Sequence, residues 1–249
     1  MAIAYIFTAA LFCVIFTREV IAPASGASCD KRWQYLAGAL SAANLGIVIA
    51  AGFVFERVIN DRSVLHLQRY LDPLSGGVLA FIVSSFVAYW WHRATHASNT
   101  LWRLIHQLHH APPRIEALTA FYLHPLDSFF AVLLNIGVAY GLMGVNGLSL
   151  AVALALAALF DLVAHADQKT PKWLGWFIQR PEMHRIHHQH GHHRQNYGLP
   201  VWDKMFGTYI NPDRPPVACG FSPERANRVR DMLLFQDVHR SSGTTKPRS

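Results

Sequence analysis

Charge is what this chain has least of. Asp, Glu, Lys and Arg together make up 15% of its 249 residues, while 52% are hydrophobic. A typical soluble domain carries about 25% charged residues, so a water-exposed globule is excluded. Cysteine is equally scarce. Cys13, Cys29 and Cys219 lie far apart and form no Cys-x-x-Cys pair, so neither a disulfide framework nor a thiolate metal site is indicated. There is no Gly-x-Gly-x-x-Gly stretch, no His-Pro-Gly-Gly stretch and no cysteine cluster, so no nucleotide, haem or iron–sulfur group for moving electrons is written into the chain. His-Glu-x-x-His, a nucleophile elbow and the Glu-x-x-His pairs of carboxylate-rich bundles are missing too.

The apolar residues that are present fall into long runs. Crossing the hydrocarbon layer takes about 17–25 helical residues, and five stretches come near or within that length: 2–17, 33–55, 74–91, 126–145 and 148–163. The first, at 16 residues, is among the shortest and reads either as a span or as a buried helix. No Lys or Arg precedes it, which favours a retained span over a cleaved leader. The last two are joined only by Asn146 and Gly147 and form a hairpin. The expected fold is therefore all-α and integral to the membrane, with four to five transmembrane helices and a helical cap. The chain divides into three regions: N-terminal spans and their loop (1–73), a central region (74–210) and a polar C-terminal tail (211–249), whose last stretch, SSGTTKPRS, reads as disordered.

If all five runs cross, Arg57, Arg62 and Arg69 stand alone on one side and the remainder of the 22 basic residues on the other, which makes that other side cytoplasmic. A net charge of +7 then reads as a face lying against anionic headgroups rather than as a nucleic-acid surface. KWLGWFIQRP, residues 172–181, reads as an interfacial helix that anchors the cap or frames lipid entry.

Histidine is abundant, with 15 copies. HQLHH at 106–110 and HRIHH at 184–188 repeat one spacing, and WHRATH carries His92 and His96. On a helix, residues i, i+3 and i+4 share a face, so His106, His109 and His110 are expected to point together, as are His184, His187 and His188. The spans between these boxes number an even count, so all of them return to one membrane face. Eight imidazoles exceed the needs of one tetrahedral zinc, and imidazole suits Zn, Cu, Fe and Ni; two metals are implied. His124 and His165, at the ends of the fourth and fifth runs, join the candidate ligands because a polar group at that depth needs a partner. His66 and His239 read as ordinary, and His190, His192 and His193 as a polar loop. Glu116 and Glu182 fall outside any ligand motif. Asp127, Asp161, Asp167 and Asn196 are candidates for the groups that hold a ring nitrogen and fix its tautomer.

These boxes in this order, with FYLHP and the signature NYGLPVWDKMFGTY, resemble the fatty acid hydroxylase superfamily, which includes sterol C4-methyl oxidases, sterol C5-desaturases, sphingoid and fatty acid hydroxylases and carotene hydroxylases. The resemblance covers roughly 74–210. It implies a di-iron oxygenase that uses O2 and external electrons to hydroxylate or desaturate a C–H bond of a lipid such as a sterol, fatty acyl or sphingoid lipid. It carries His92, His96, His106, His109, His110, His184, His187 and His188 over as ligands, with His165 and His124. The implied setting is the bacterial inner membrane or the endoplasmic reticulum, with the metal site on the cytoplasmic face. The implied partner is a separate electron carrier, a b-type cytochrome or a ferredoxin and reductase. Two features depart from the pattern: many relatives have His-x-Asn where this chain has His165-Ala166-Asp167, and the histidine-rich insert before Asn196 is unusual. The alternative is a histidine-rich membrane metal-binding protein, a transporter or sensor, without redox chemistry.

Overall fold

A computed structural model describes residues 2–25, 31–59, 63–191, 194–214 and 218–240. Among them every regular element is helical, and the sole extended pairing is an isolated bridge between Gln189 and Cys219. The helices that position the site are α1 (Ala2–Ile21), α2 (Lys31–Ile59), α3 (Pro73–Ala97), α4 (Pro125–Ile136), α5 (Gly147–His165), α6 (Pro181–His187) and α7 (Pro200–Met205). Among the described residues four segments are long and apolar enough to cross a membrane: Lys31–Gly52, Pro73–Ala97, Pro125–Met143 and Gly147–His165.

The starts of the helices are set by local chemistry. Asp72 accepts from the backbone N–H of Leu74 and Ser75, with Pro73 at the first helical position, so three orphan donors at the start of α3 are satisfied or absent. At the far end of α4 the chain widens into a π-helical turn, Gly137–Met143, and Gly144 then takes a left-handed conformation with φ 63°. Asn146 accepts from Ser149 N–H and starts α5. The hairpin read from the sequence is thus built from a glycine that can reverse the backbone and an asparagine that caps the next helix.

Helices α3 and α5 pack tightly at Gly76 and Gly77. A Cβ at Gly77 would lie 2.5 Å from Val152 Cβ and 2.7 Å from Ser149 O, so only hydrogen fits there. Small residues at such a crossing are how helices gain packing in lipid, where water supplies no drive between them. Val132, Ile136, Tyr140, Met143 and Leu150 fill the core between these helices. Leu79, Ile82, Phe86 and Val87 of α3, with Phe129 and Phe130 of α4, are exposed, an outward apolar belt of the kind a bilayer covers.

The tail differs from its expectation. Within 211–249, Phe221, Met232 and Val238 are buried against Leu108, Ala111, Leu118 and Tyr122. Gly220 N–H donates to His188 O, Phe221 N–H to Ala111 O, and the Gln107 side chain to Gln236 O. Residues 218–240 are therefore a lid on the histidine boxes. Their composition is polar on average, and the burying falls to Phe221, Val238 and Met232, the last at the head of the short apolar stretch 232–235. The stretch 241–249 lies outside the described residues.

Candidate metal centre

The ends of α3 and α5, the chain between α3 and α4, and α6 with the turn after it meet at one end of the bundle. There the structure gathers nine histidines in two groups. His92, His96, His106, His110 and His187 form one, His109, His165, His184 and His188 the other, and within each group one ring nitrogen per residue lies within 4.8 Å of every other. Among the described residues no carboxylate or thiol belongs to either group.

The grouping corrects the expectation that each His-x-x-His-His set faces one way. The first box gives its i and i+4 members, His106 and His110, to the five-histidine group and its i+3 member, His109, to the other. The second box does the reverse, with His184 and His188 in the four-histidine group and His187 crossing over. The local backbone explains the first split. Trp102–His106 is a π-helical turn and residues 107–110 are turns, so the 100° step that would align the three rings is not in force. In the second box His184 and His187 both lie in α6, so the split falls inside a regular helix, where the i+3 and i+4 positions stand about 100° apart.

The hydrogen bonds fix the tautomers. His92 Nδ1 is 2.7 Å from Tyr197 O, and a carbonyl only accepts, so that nitrogen carries the proton. His106 Nδ1 faces Asp127 Oδ2 at 2.9 Å, His165 Nδ1 faces Asp161 O at 2.8 Å, and His187 Nδ1 faces Gln195 O at 2.9 Å. A neutral imidazole has one N–H. His92 Nε2 and His106 Nε2 therefore turn lone pairs on each other across 3.0 Å, while His165 Nε2 brings its own lone pair within 3.0 Å of His184 Nε2 and 3.3 Å of His109 Nε2. Facing lone pairs repel, and a cation placed among them turns that repulsion into ligation. The residues present thus fit metal ions, two of them, with neutral nitrogen donors and orienting partners behind the rings. Burial and the neighbouring imidazoles hold His109, His110, His184 and His188 well below the ordinary histidine range. That keeps them neutral, the form that ligates.

His124 is not among the gathered rings. Its Nδ1 accepts from Leu126 N–H at 3.1 Å and its Nε2 faces Leu233 O at 3.3 Å, so it caps α4 ahead of Pro125 and both nitrogens are spent. Asp167 is likewise elsewhere. Its carboxylate takes Ser25 N–H, Ser25 Oγ and Arg185, and it touches no ring. Asp161 serves through its backbone carbonyl, beneath His165. Asn196 orients no ring with its own side chain, which bonds Met183 O, Ile210 O and Ile210 N–H; its neighbours Gln195 and Tyr197 supply the carbonyls. Of the four polar residues named from sequence, only Asp127 places a side chain on a ring. The carbonyls of Gln195 and Tyr197 carry no sequence signal.

His190 Nδ1 faces Gly220 O at 2.8 Å and stands outside both groups, whereas His192 and His193 lie outside the described residues. Trp173, Trp176 and Phe177 of the 172–181 segment are more than half exposed. They lie on a 3-10 turn, Lys172–Trp176, and just beyond it, in place of the expected longer helix.

An all-helical protein with membrane-length spans and a double, all-histidine centre is a narrow class, and comparison with known proteins places the chain within it. A family model described as fatty acid hydroxylase matches residues 77–208, more than half of the chain and all nine gathered histidines; the chain belongs to that family. It is 33% identical to an ornithine lipid hydroxylase of Rhizobium tropici over 55% of this chain and 43% of that protein. A sphingolipid C4-hydroxylase of Schizosaccharomyces pombe is 29% identical over 57% of this chain and 50% of its own length. A methylsterol monooxygenase of Arabidopsis thaliana is 28% identical over 66% and 63%. The chain thus spans about half the length of the first relatives it matches. No solved structure matches.

Proposed function

We propose that this chain is a membrane-bound di-iron oxygenase that hydroxylates, or by the same hydrogen removal desaturates, a C–H bond of a lipid. The observation that carries the reading is the pair of largely buried, carboxylate-free histidine groups, in which His92 Nε2 and His106 Nε2 face one another with no proton between them and His165 Nε2 turns its lone pair on His184 and His109. Iron bound there would supply the coupling of O2 and electrons to C–H oxidation. His92, His96, His106, His110 and His187 would hold one ion, and His109, His165, His184 and His188 the other. The chain's own contribution is orientation and dryness: Asp127 and three carbonyls lock the rings, and the buried lid of Phe221, Met232 and Val238 keeps water from the centre.

Lipid substrates are supported by the apolar belt around α3 and α4 and by the activities for which the three relatives are named. No electron-carrying motif occurs in the sequence, so the electrons are assigned to a separate b-type cytochrome, or ferredoxin and reductase, acting on the basic face. That face is assigned to the cytoplasm by its Lys and Arg excess.

The test is metal analysis of protein purified in mild detergent from iron-57-grown cells, with Mössbauer spectroscopy. A coupled iron pair supports the reading and justifies comparing lipid extracts with and without the gene. Tight zinc or nickel, with no iron under conditions that load it, overturns the reading in favour of a metal-binding protein.

A further inference from the structure

One buried acid close to the centre meets the loop behind the rings and not a ring itself. Asp203, on α7, is fully buried. Its Oδ1 accepts from Tyr197 N–H at 2.9 Å and from the Thr208 hydroxyl at 2.6 Å, and its Oδ2 accepts from Gly198 N–H at 3.2 Å. Because the Thr208 hydrogen is committed to Asp203, the Tyr89 hydroxyl, 2.8 Å away, donates to Thr208, and Arg93 donates in turn to Tyr89. Three donors converging on one carboxylate suit an acceptor-only side chain; an amide would present its own N–H to one of them.

Seven residues upstream, Asn196 holds the other end of the same loop. It adopts a left-handed backbone, φ 55°, a conformation that asparagine tolerates better than most residues. Its carboxamide is bound to the backbone of Met183 and Ile210 on both sides, and Gln179 donates to its carbonyl. Between these two anchors lie the carbonyls of Gln195 and Tyr197, the acceptors for His187 Nδ1 and His92 Nδ1. Both rings belong to the five-histidine group. In the four-histidine group His165 is held by a different support, the helix carbonyl of Asp161.

We infer that Asp203, with Asn196 as its counterpart, is the positioning residue of one metal only: it sets the 195–198 backbone so that two carbonyls impose the Nδ1–H tautomer on His92 and His187 and aim their Nε2 atoms into the five-histidine group. This rests on the metal reading proposed above. Its consequence is that the two metal positions depend on different supports and are separable by a substitution that touches no ligand.

Two measurements on the full chain test it. In metal-free protein, nitrogen-15 spectra of histidine should show His92 and His187 as Nδ1–H tautomers in the wild type and as mixed tautomers in Asp203→Leu, with His165 unchanged. In protein grown on iron-57, Asp203→Leu should fall from two irons towards one, and the Mössbauer signal of a coupled pair should give way to that of an isolated ion. Asp203→Asn should retain most of the pair, because one oxygen still serves Tyr197 and Thr208. Should Asp203→Leu not accumulate, Thr208→Val removes one of the three donors and leaves the carboxylate in place, and its expected effect has the same direction. A wild-type coupled pair retained in full by Asp203→Leu, or unchanged tautomers, overturns the inference; loss of both irons in parallel overturns its restriction to one position. Absence of iron from the wild type counts against the oxygenase reading alone, since the tautomer measurement needs no metal.

Discussion

His109 and His187 hold equivalent places in their boxes, and each crosses into the group that its own box does not otherwise supply. The exchange makes them unequal under substitution. His109→Ala leaves three histidines in its group, whereas His187→Ala leaves four. Both variants should lose lipid oxidation, because a centre made of two ions fails when either is altered. Iron content should separate them, with His109→Ala falling towards one ion per chain and His187→Ala staying close to two. Equal depletion in both would show that the two groups do not act as separate metal positions.

Among the described residues, Asp127 contributes the one carboxylate that meets a gathered ring, 2.9 Å from His106 Nδ1 and largely buried. Such partners fix the tautomer and raise the basicity of the opposite nitrogen, and their loss costs about 10–100-fold in metal affinity or activity. Asp127→Leu is expected to release iron to a chelator at about 10–100-fold lower chelator concentration than wild type, and Asp127→Asn, which keeps an acceptor, to fall between them. Identical retention in all three would leave Asp127 with no part in the centre.

The sequence carries the fold further than it carries the wiring. Long apolar runs and capping residues such as Asp72 and Asn146 act locally, so four spans and the glycine-assisted hairpin are legible from residue types alone. The histidine boxes are legible as well, because nine gathered imidazoles, seven of them buried, have few other uses. The split inside each box is not, since it depends on how the two boxes pack against the ends of α3 and α5, and in the first box also on a π-helical turn at 102–106. Nor are the partners behind the rings: Gln195 and Tyr197 act through backbone oxygen, which every residue has. Asp203 carries one weak signal, an acid set among Trp202, Met205 and Phe206. Asp167 shows the opposite error. Its closeness to His165 in sequence suggests a partner for a ring, but it lies beyond the end of α5 and turns to Ser25 and Arg185 instead.

His124 separates a ligand from a cap. Its Nδ1 accepts from Leu126 N–H at the start of α4, a role in which loss of the acceptor costs about 1 kcal/mol. His124→Ala should therefore leave iron content unchanged and lower stability by about 1 kcal/mol, seen as an earlier midpoint in a detergent-denaturation titration. Loss of an iron with no change in that midpoint would return His124 to the ligand set.

Asp167 makes the converse case, a residue beside the centre whose work is structural. Its carboxylate is fully buried and lies 2.6 Å from Arg185, with Arg114 at 3.8 Å. Its backbone N–H also donates to Glu19 at 2.7 Å, which ties α1 to the end of α5. Removing one partner of a buried pair strands the other charge, at a cost of about 3–5 kcal/mol. Asp167→Ala should therefore reduce the yield of folded protein sharply, because about 3–5 kcal/mol is a large share of the stability of a single domain. Whatever folds should carry iron at the wild-type ratio, since no ring leans on this carboxylate. Substituting Arg185→Met in the same chain removes the stranded guanidinium and should recover part of the yield. Iron loss in well-folded Asp167→Ala, without loss of yield, would instead place Asp167 behind a ligand.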